Sequence, residues 1–482
     1  YENKKTLFST DLHLAKCQLA GNFQENIFSA DINTEFLING LSQNQEPLLA
    51  AKRAEIKGEI QINSKEAIYT FKKTSLVLDD VAVAVDGFLD LSEETYLELA
   101  FAGEKIDFKN ALSLLNNGGK EYLSGFAIAG NAAVAGELKG FMQGKSTPHL
   151  QLQFEVKDAS IKKPAGKLAL DHIQLSGNFD NGKNSSKSSS ILELRNFSAH
   201  LGKGKIDGAL KLWNFESPRY ELQGNLDLQL AEISHFFDFQ DLQSLNGELK
   251  GDVHSKGQIK DLQNISIEDW KNANSVGSLE FTGVNFRLKD RPQEFKNISG
   301  RLKIVNNSLL AENLQGNISS TDFHLTGKFI NLIGFLLEDK QALLVDAVFR
   351  SSNMQLDELL LSNASQKEGE EDYHFAISDR INLKLDAQIA HLDFKKLSFD
   401  HCSSTLSIKD QIFLAENIHF ESMGGIVGGN LKVDAQSGKF LLIGSESSSR
   451  NIDIQQLFSN FSNFIVINKP CFFFYSVKNR FI

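Results

Sequence analysis

Two matching stretches constrain the fold of this chain more than any other feature. Ser299 to Leu332 reads SGRLKIVNNSLLAENLQGNISSTDFHLTGKFINL, and Ser403 to Val433 reads SSTLSIKDQIFLAENIHFESMGGIVGGNLKV. Leu302 and Leu406 stand at the same distance before an identical Leu-Ala-Glu-Asn, at Leu310–Asn313 and Leu414–Asn417. In Gly300-Arg-Leu302-Lys-Ile304 and Phe323-His-Leu325-Thr-Gly327-Lys-Phe329, polar residues alternate with apolar residues or glycine. Successive side chains of a strand point to opposite faces, so a period of two marks strands with one buried face. The Asn306-Asn307 pair supplies a turn between strands. Weaker echoes of the closing strand are Val85-Asp-Gly87-Phe-Leu89-Asp-Leu91 and Ile206-Asp-Gly208-Ala-Leu210-Lys-Leu212. A repeated strand–turn–strand unit implies an array in which each copy stacks its apolar face on its neighbours. The loose spacing implies long, divergent repeats.

The fold class expected is therefore mainly β: a long, antiparallel, repeating β-groove, a curled and twisted sheet with a few short helices. Composition agrees. Phe is abundant (37) while Pro (6), Met (3) and Trp (2) are scarce, which suits pleated, half-buried surfaces. A chain of 482 residues with 41% apolar residues can bury a large core without being a polytopic membrane protein. A net charge of −11 argues against a nucleic-acid partner, because no basic stripe neutralises phosphates. Cys17, Cys402 and Cys471 are too few and too far apart for a disulfide framework or a zinc site. The chain starts at Tyr1 with neither a methionine nor a secretory signal, which points to a fragment of a longer protein.

Along the chain, turn-sized gaps between alternating runs from Ile56 to Phe101 imply antiparallel neighbours. Helical spacing predicts short helices near 109–116, 232–239, 355–364 and 454–464. The run 181–190, NGKNSSKSSS, reads as a solvated loop. The alternation changes phase across Gly283, between Leu279-Glu-Phe281 and Val284-Asn-Phe286, as a β-bulge would make it. Four segments follow: 1–147, a meander; 148–277, a middle groove segment; 278–464, carrying the repeated units 278–337 and 381–442; and 465–482. That last segment loses both acidic residues and the repeat pattern, and is expected to be a non-native end.

No catalytic pattern emerges, and the chain is expected not to be an enzyme. His391, His401 and Cys402 form the closest grouping of metal-ligand types, better explained as packed or solvent-facing side chains. Gly202-Lys-Gly204-Lys205 lacks the spacing of a phosphate loop. Asp79-Asp80 and Glu370-Glu371-Asp372 sit in turns and loops, where carboxylates are solvated before they are general acids. No Gly-x-Ser-x-Gly elbow is present. No cofactor and no metal are expected.

Attention then falls on the apolar stripes: Leu150, Leu152, Phe154 and Val156; Leu226, Leu228 and Leu230; Leu279 and Phe281; Phe323, Leu325 and Phe329; Leu383 and Leu385. They form either the core of β-sandwich domains or the lining of an open groove. Roughly 25 strands are implied by the length, and open twisted sheets rarely exceed about 10 strands without curling or splitting.

The layout resembles the C-terminal region of AsmA-family proteins, in the long form found in Bacteroidetes-type bacteria. The resemblance rests on the strand ends at Gly208 and Gly327, on Leu226-Asp-Leu228 leading to Ile233, and on the paired repeat units. It also rests on Met354-Gln-Leu356-Asp-Glu-Leu359-Leu360 and Ile452-Asp-Ile454-Gln-Gln-Leu457-Phe458, and it runs to about Phe464. That family is similar to TamB and to eukaryotic bridge-like lipid-transfer proteins. The resemblance implies a non-enzymatic, periplasmic protein of the cell envelope that guides phospholipids or other acyl lipids between inner and outer membrane, in outer-membrane biogenesis. It also implies an inner-membrane anchor ahead of Tyr1 and an outer-membrane partner. The alternatives are a passive, adhesin-like β scaffold, a TamB-like helper in outer-membrane protein assembly, and an enzyme with a β-helical cleft.

Overall fold

A computed structural model describes residues 2–3, 8–23, 25–43, 46–92, 94–114, 125–142, 147–163, 166, 168–236, 242–262, 266–289, 291–306, 308–337, 341–360, 377–437, 442–460 and 475–480. The chain divides into two compact units, Tyr1–Asn225 with Ser255–Asp269 and Leu226–His254 with Trp270–Ile482.

In the first unit the strands are β1 (Glu2–Asn3), β2 (Phe8–Gly21), β3 (Ile27–Gln43), β4 (Glu46–Asn63), β5 (Ile68–Leu78) and β6 (Val81–Asp90). β7 (Tyr96–Asp107) leads into helix α1 (Phe108–Leu114), and β8 (Ala127–Phe141), β9 (His149–Lys162), β10 (Ala169–Asp180), β11 (Ile191–Leu201) and β12 (Gly204–Trp213) follow. Each of these strands pairs antiparallel with the next. The unit boundary falls inside β13 (Arg219–Gln229) and β14 (Leu242–Gln258), which flank α2 (Leu230–Phe236); α3 (Ile267–Lys271) comes next.

The second unit continues with β15 (Asn274–Leu288), β16 (Glu294–Val305), β17 (Ser308–Ile318), β18 (Thr321–Ile330), α4 (Leu332–Leu337), β19 (Leu343–Gln355) and α5 (Leu356–Leu360). It closes with β20 (Ile381–Phe394), β21 (Leu397–Lys409), β22 (Ile412–Ser422), β23 (Gly425–Asp434), β24 (Leu442–Arg450), α6 (Ile454–Asn460) and β25 (Tyr475–Arg480). Here too neighbours in the chain are neighbours in the sheet, antiparallel except that β19 and β20 run parallel. A parallel step needs a crossover of a dozen or more residues. The connection from Gln355 to Ile381, opened by α5, is long enough for one.

The expected mainly β, antiparallel, curled architecture with short helices is the one found. The duplicated stretches fold alike. Val305 pairs with Ser308 across the Asn306 turn, and Lys409 pairs with Ile412 across Asp410-Gln411. Asn306, Asp410 and Gln411 all adopt left-handed backbone, which matches the twist of tight hairpins. Asn307 lies outside the described residues.

What curls the sheet is a recurring bulge. Lys73, Lys105, Asp158, His172, Asn196, Gly283, Asn297, His401 and Asn417 are left-handed residues inside strands, each beside a register shift. An extra residue bends its strand and raises the local twist. In the first unit the bent strands bring Ile106, Ala132, Val156, Ala159, Ile173 and Ala199 into one buried cluster, closed at the end by Phe108 of α1. The phase change at Gly283 is thus a bulge, with the shift between Phe281 and Val284.

Helices α1, α2, α5 and α6 start within two residues of the positions expected from sequence, although Met354 belongs to β19. The expected ends beyond Leu360 and Asn460 fall outside the described residues. α3 and α4 were not anticipated: at five and six residues they are too short to show a helical period. The serine-rich run 181–190 is more than a solvated loop. A capping box between Ser186 and Ser189 starts a 3-10 turn at Lys187–Ser189, and Ser190 is buried. Gly202-Lys203 is the two-residue turn joining β11 to β12, where Leu201 pairs with Gly204.

Candidate functional site: the apolar face of the sheet

Residues directly opposite on paired strands share a face, so the register shows which side chains stand abreast. In the first unit, one row runs Val85–Phe101–Gly136–Leu152–Phe179–Leu192–Leu212. Beside it run Phe71–Gly87–Leu99–Leu138–Leu150 and Val134–Phe154–Gly177–Leu194–Leu210. In the second unit a row crosses every strand from β15 to β23: Leu279–Leu302–Ala311–Gly327–Ala347–Leu385–Leu406–Ala415–Leu431. Its neighbour is Ile304–Leu309–Phe329–Val345–Leu383–Ile408–Phe413–Val433.

The expected lining residues mostly fall on these rows. Leu325 joins through Phe349, Phe281 lies opposite Gly300, and Phe323 lies opposite Gly316. Leu226 and Leu279 both lie against Gly251. Three expected lining residues are enclosed: Val156 is 4% exposed, and Leu228 and Leu230 are 7% exposed. These three pack as core. Leu150, Leu152, Phe154, Leu226, Leu279, Phe281, Phe323, Leu325, Phe329, Leu383 and Leu385 are half-buried. A face closed dry against a second sheet would enclose its central Leu and Phe side chains. Among the described residues, the largest side chains fully enclosed are instead Thr74, Thr321 and Ser255. The face is most open on β2, where Leu12, Leu14 and Leu19 are 49%, 58% and 46% exposed.

Sequence reasoning missed the small members of the rows. A Cβ on Gly327 would come within 2.3 Å of the Ala347 Cβ, and one on Gly177 within 2.4 Å of the Phe154 ring. Curvature crowds the backbone at these places, so glycine is required there. Only the cross-strand register could have flagged them.

The opposite face is polar and braced by ion pairs between strands, such as Lys139–Glu98, Lys211–Glu193 and Lys303 with Glu312. Two depressions, of about 810 and 720 Å3, are lined mainly by residues of this polar face. Their rims also take in members of the apolar face: Val134, Leu152, Phe154 and Phe179 at the smaller, and Phe323 at the larger.

The histidines and cysteine noted from sequence do not converge. His391 Nδ1 faces Asp400 at 2.7 Å and Nε2 faces Asp393 at 3.2 Å, while His401 faces Glu421 at 3.4 Å. Burial pushes the Cys402 thiol up to about 11, which keeps it protonated and unreactive at neutral pH. Among the described residues no group of three His, Cys, Asp or Glu side chains is placed to hold a metal ion. No described helix is long and apolar enough to cross a membrane. Comparison with protein families, with curated proteins and with solved structures found no match to this chain.

Proposed function

We propose that the protein binds the acyl chains of phospholipid-like molecules on the apolar face of its curled sheet and passes them from strand to strand without catalysis. One observation carries this reading: row after row of Leu, Ile, Val and Phe crosses each unit, and most of their large side chains stay half-buried, although Val85, Leu212, Leu309 and Val433 are enclosed. Each acyl CH₂ taken out of water gains about 0.8 kcal/mol, so such a face could hold a lipid without a specific polar site. Neighbouring positions along a row are chemically alike, so a bound chain could move along it with small steps in energy. Placement in the cell envelope, between an inner-membrane anchor and an outer-membrane partner, rests on the AsmA-like sequence pattern and belongs to the proposal.

A passive β scaffold is the competing reading, favoured by the enclosed cluster around Ile106, Val156 and Ile173. Native mass spectrometry of protein purified from bacterial membranes separates the two. Co-purified phospholipid, lost or reduced in Phe281→Asp and Leu385→Asp, is the expected result, because a buried charge makes one step of the path polar. If folded wild-type protein carries no lipid, the scaffold reading replaces this one.

A further inference from the structure

On the polar face of the second unit, the larger depression contains a row that no part of the lipid reading uses. His324, Arg350, Gln388 and Ser403 stand directly abreast on β18, β19, β20 and β21. With strands about 4.8 Å apart, the row spans about 15 Å. Arg287 and Arg301 pair with Glu294 and Glu280. Arg350 instead donates from Nε to Gln388 Oε1 at 3.1 Å, and among the described residues no carboxylate lies within ion-pair distance of it.

The depression does contain one carboxylate, Asp322, but its acceptor sites are taken. Oδ1 accepts from Ser351 Oγ at 3.1 Å, from the Ser352 N–H at 3.0 Å and from the Asn353 N–H at 2.7 Å, and Oδ2 from the Ser352 N–H at 2.9 Å. Burial raises its pKa, but these bonds outweigh it and hold the carboxyl below the usual range. Asp322 therefore braces β19 against β18 and leaves the guanidinium uncompensated. Because Gln388 accepts through Oε1, its amide N–H groups remain for a ligand.

We propose that this depression is a binding site for a phosphate group, with the Arg350 guanidinium as the anchor and Gln388 and Ser403 as orienting donors. A guanidinium fork matches two phosphate oxygens at once, which a lysine cannot do. The 810 Å3 volume leaves room for a phosphorylated small molecule or a phospholipid headgroup as well as inorganic phosphate. The site lies on the face opposite the apolar rows and does not depend on them.

Titration of the full chain with inorganic phosphate at low ionic strength, read by phosphorus NMR or calorimetry, tests it. Arg350→Gln should weaken binding about tenfold or more and Arg350→Lys by less, since the charge stays but the fork is lost. Arg195→Gln, at an arginine paired with Glu193, should leave binding unchanged. Arg350-dependent recruitment to phosphatidylglycerol vesicles, absent with neutral phosphatidylcholine vesicles, assigns the phosphate to a lipid headgroup. Binding of free phosphate without that recruitment assigns it to a soluble ligand. No binding by the wild-type chain, or equal binding by Arg350→Gln with an unchanged far-ultraviolet spectrum, overturns the proposal. Should Arg350→Gln not fold, the comparison of wild type with Arg350→Lys decides it.

Discussion

At the scale of single residues, the best-enclosed side chains are small, alanines such as Ala159, Ala199 and Ala311 together with Thr74, Thr321 and Ser255. Thr321 is fully buried, and its Oγ1 accepts a hydrogen bond from the Gln355 N–H at 3.0 Å. Thr321→Val keeps the shape but leaves that buried donor unsatisfied, and should cost about 1–3 kcal/mol in urea unfolding. Thr321→Ser keeps the hydroxyl and should recover most of it. His391 makes a pH-dependent contribution. Its hydrogen bond with Asp400, helped by the charges of Asp393 and Asp400, raises its pKa above the ordinary 6.5 against the opposing effect of burial. A raised folded-state pKa stabilises the protein fully below the unfolded value and loses that contribution as pH rises through the folded value. The melting-temperature difference between wild type and His391→Gln should therefore be largest below the ordinary 6.5 and shrink as pH rises above it. A constant difference would assign His391 a packing role alone.

At the scale of elements, the bulges decide which side of each strand is wet. Gly283 has φ +57° and open space where a side chain would stand. Gly283→Ala should therefore cost only the left-handed penalty, about 1–2 kcal/mol. Deleting Gly283 is a different matter. A one-residue slip sends a strand's side chains to the other face. Val284, Phe286 and Leu288 would move to the polar face, and Arg287 to the apolar one. The stacked rings of Phe286 and Phe295, 4.3 Å apart, would separate. The deletion should abolish the cooperative denaturant transition of the second unit, whereas the alanine variant keeps it at slightly lower denaturant. Equal effects of the two would show that the bulge does not set the face.

At the scale of the whole chain, each unit obeys one rule: neighbours in sequence are neighbours in the sheet. That is why so much was legible beforehand. Alternation is a local property, set by which residues face solvent and which face a core. It marked the strands from Ile56 to Phe101, the duplicated units and the bulge at Gly283, and with them the mainly β class. It also placed Leu325, Phe329, Leu383 and Leu385 on one face, because a period of two needs no knowledge of partners. What it could not supply was the register. Whether Leu385 stands beside Leu406 and Ala347, or whether β19 meets β20 in parallel, depends on hydrogen bonds between distant residues. Burial was equally out of reach. Val156 and Phe154 read identically in sequence, yet Val156 is enclosed and Phe154 half-open, because Val156 lies two residues before the Asp158 bulge in the cluster that curvature closes. The sequence alone determined the strands and their two faces. Only the tertiary structure decided which parts of the apolar face are core and which stay open, because curvature is the sum of many small bends along strands that meet only once the sheet has formed.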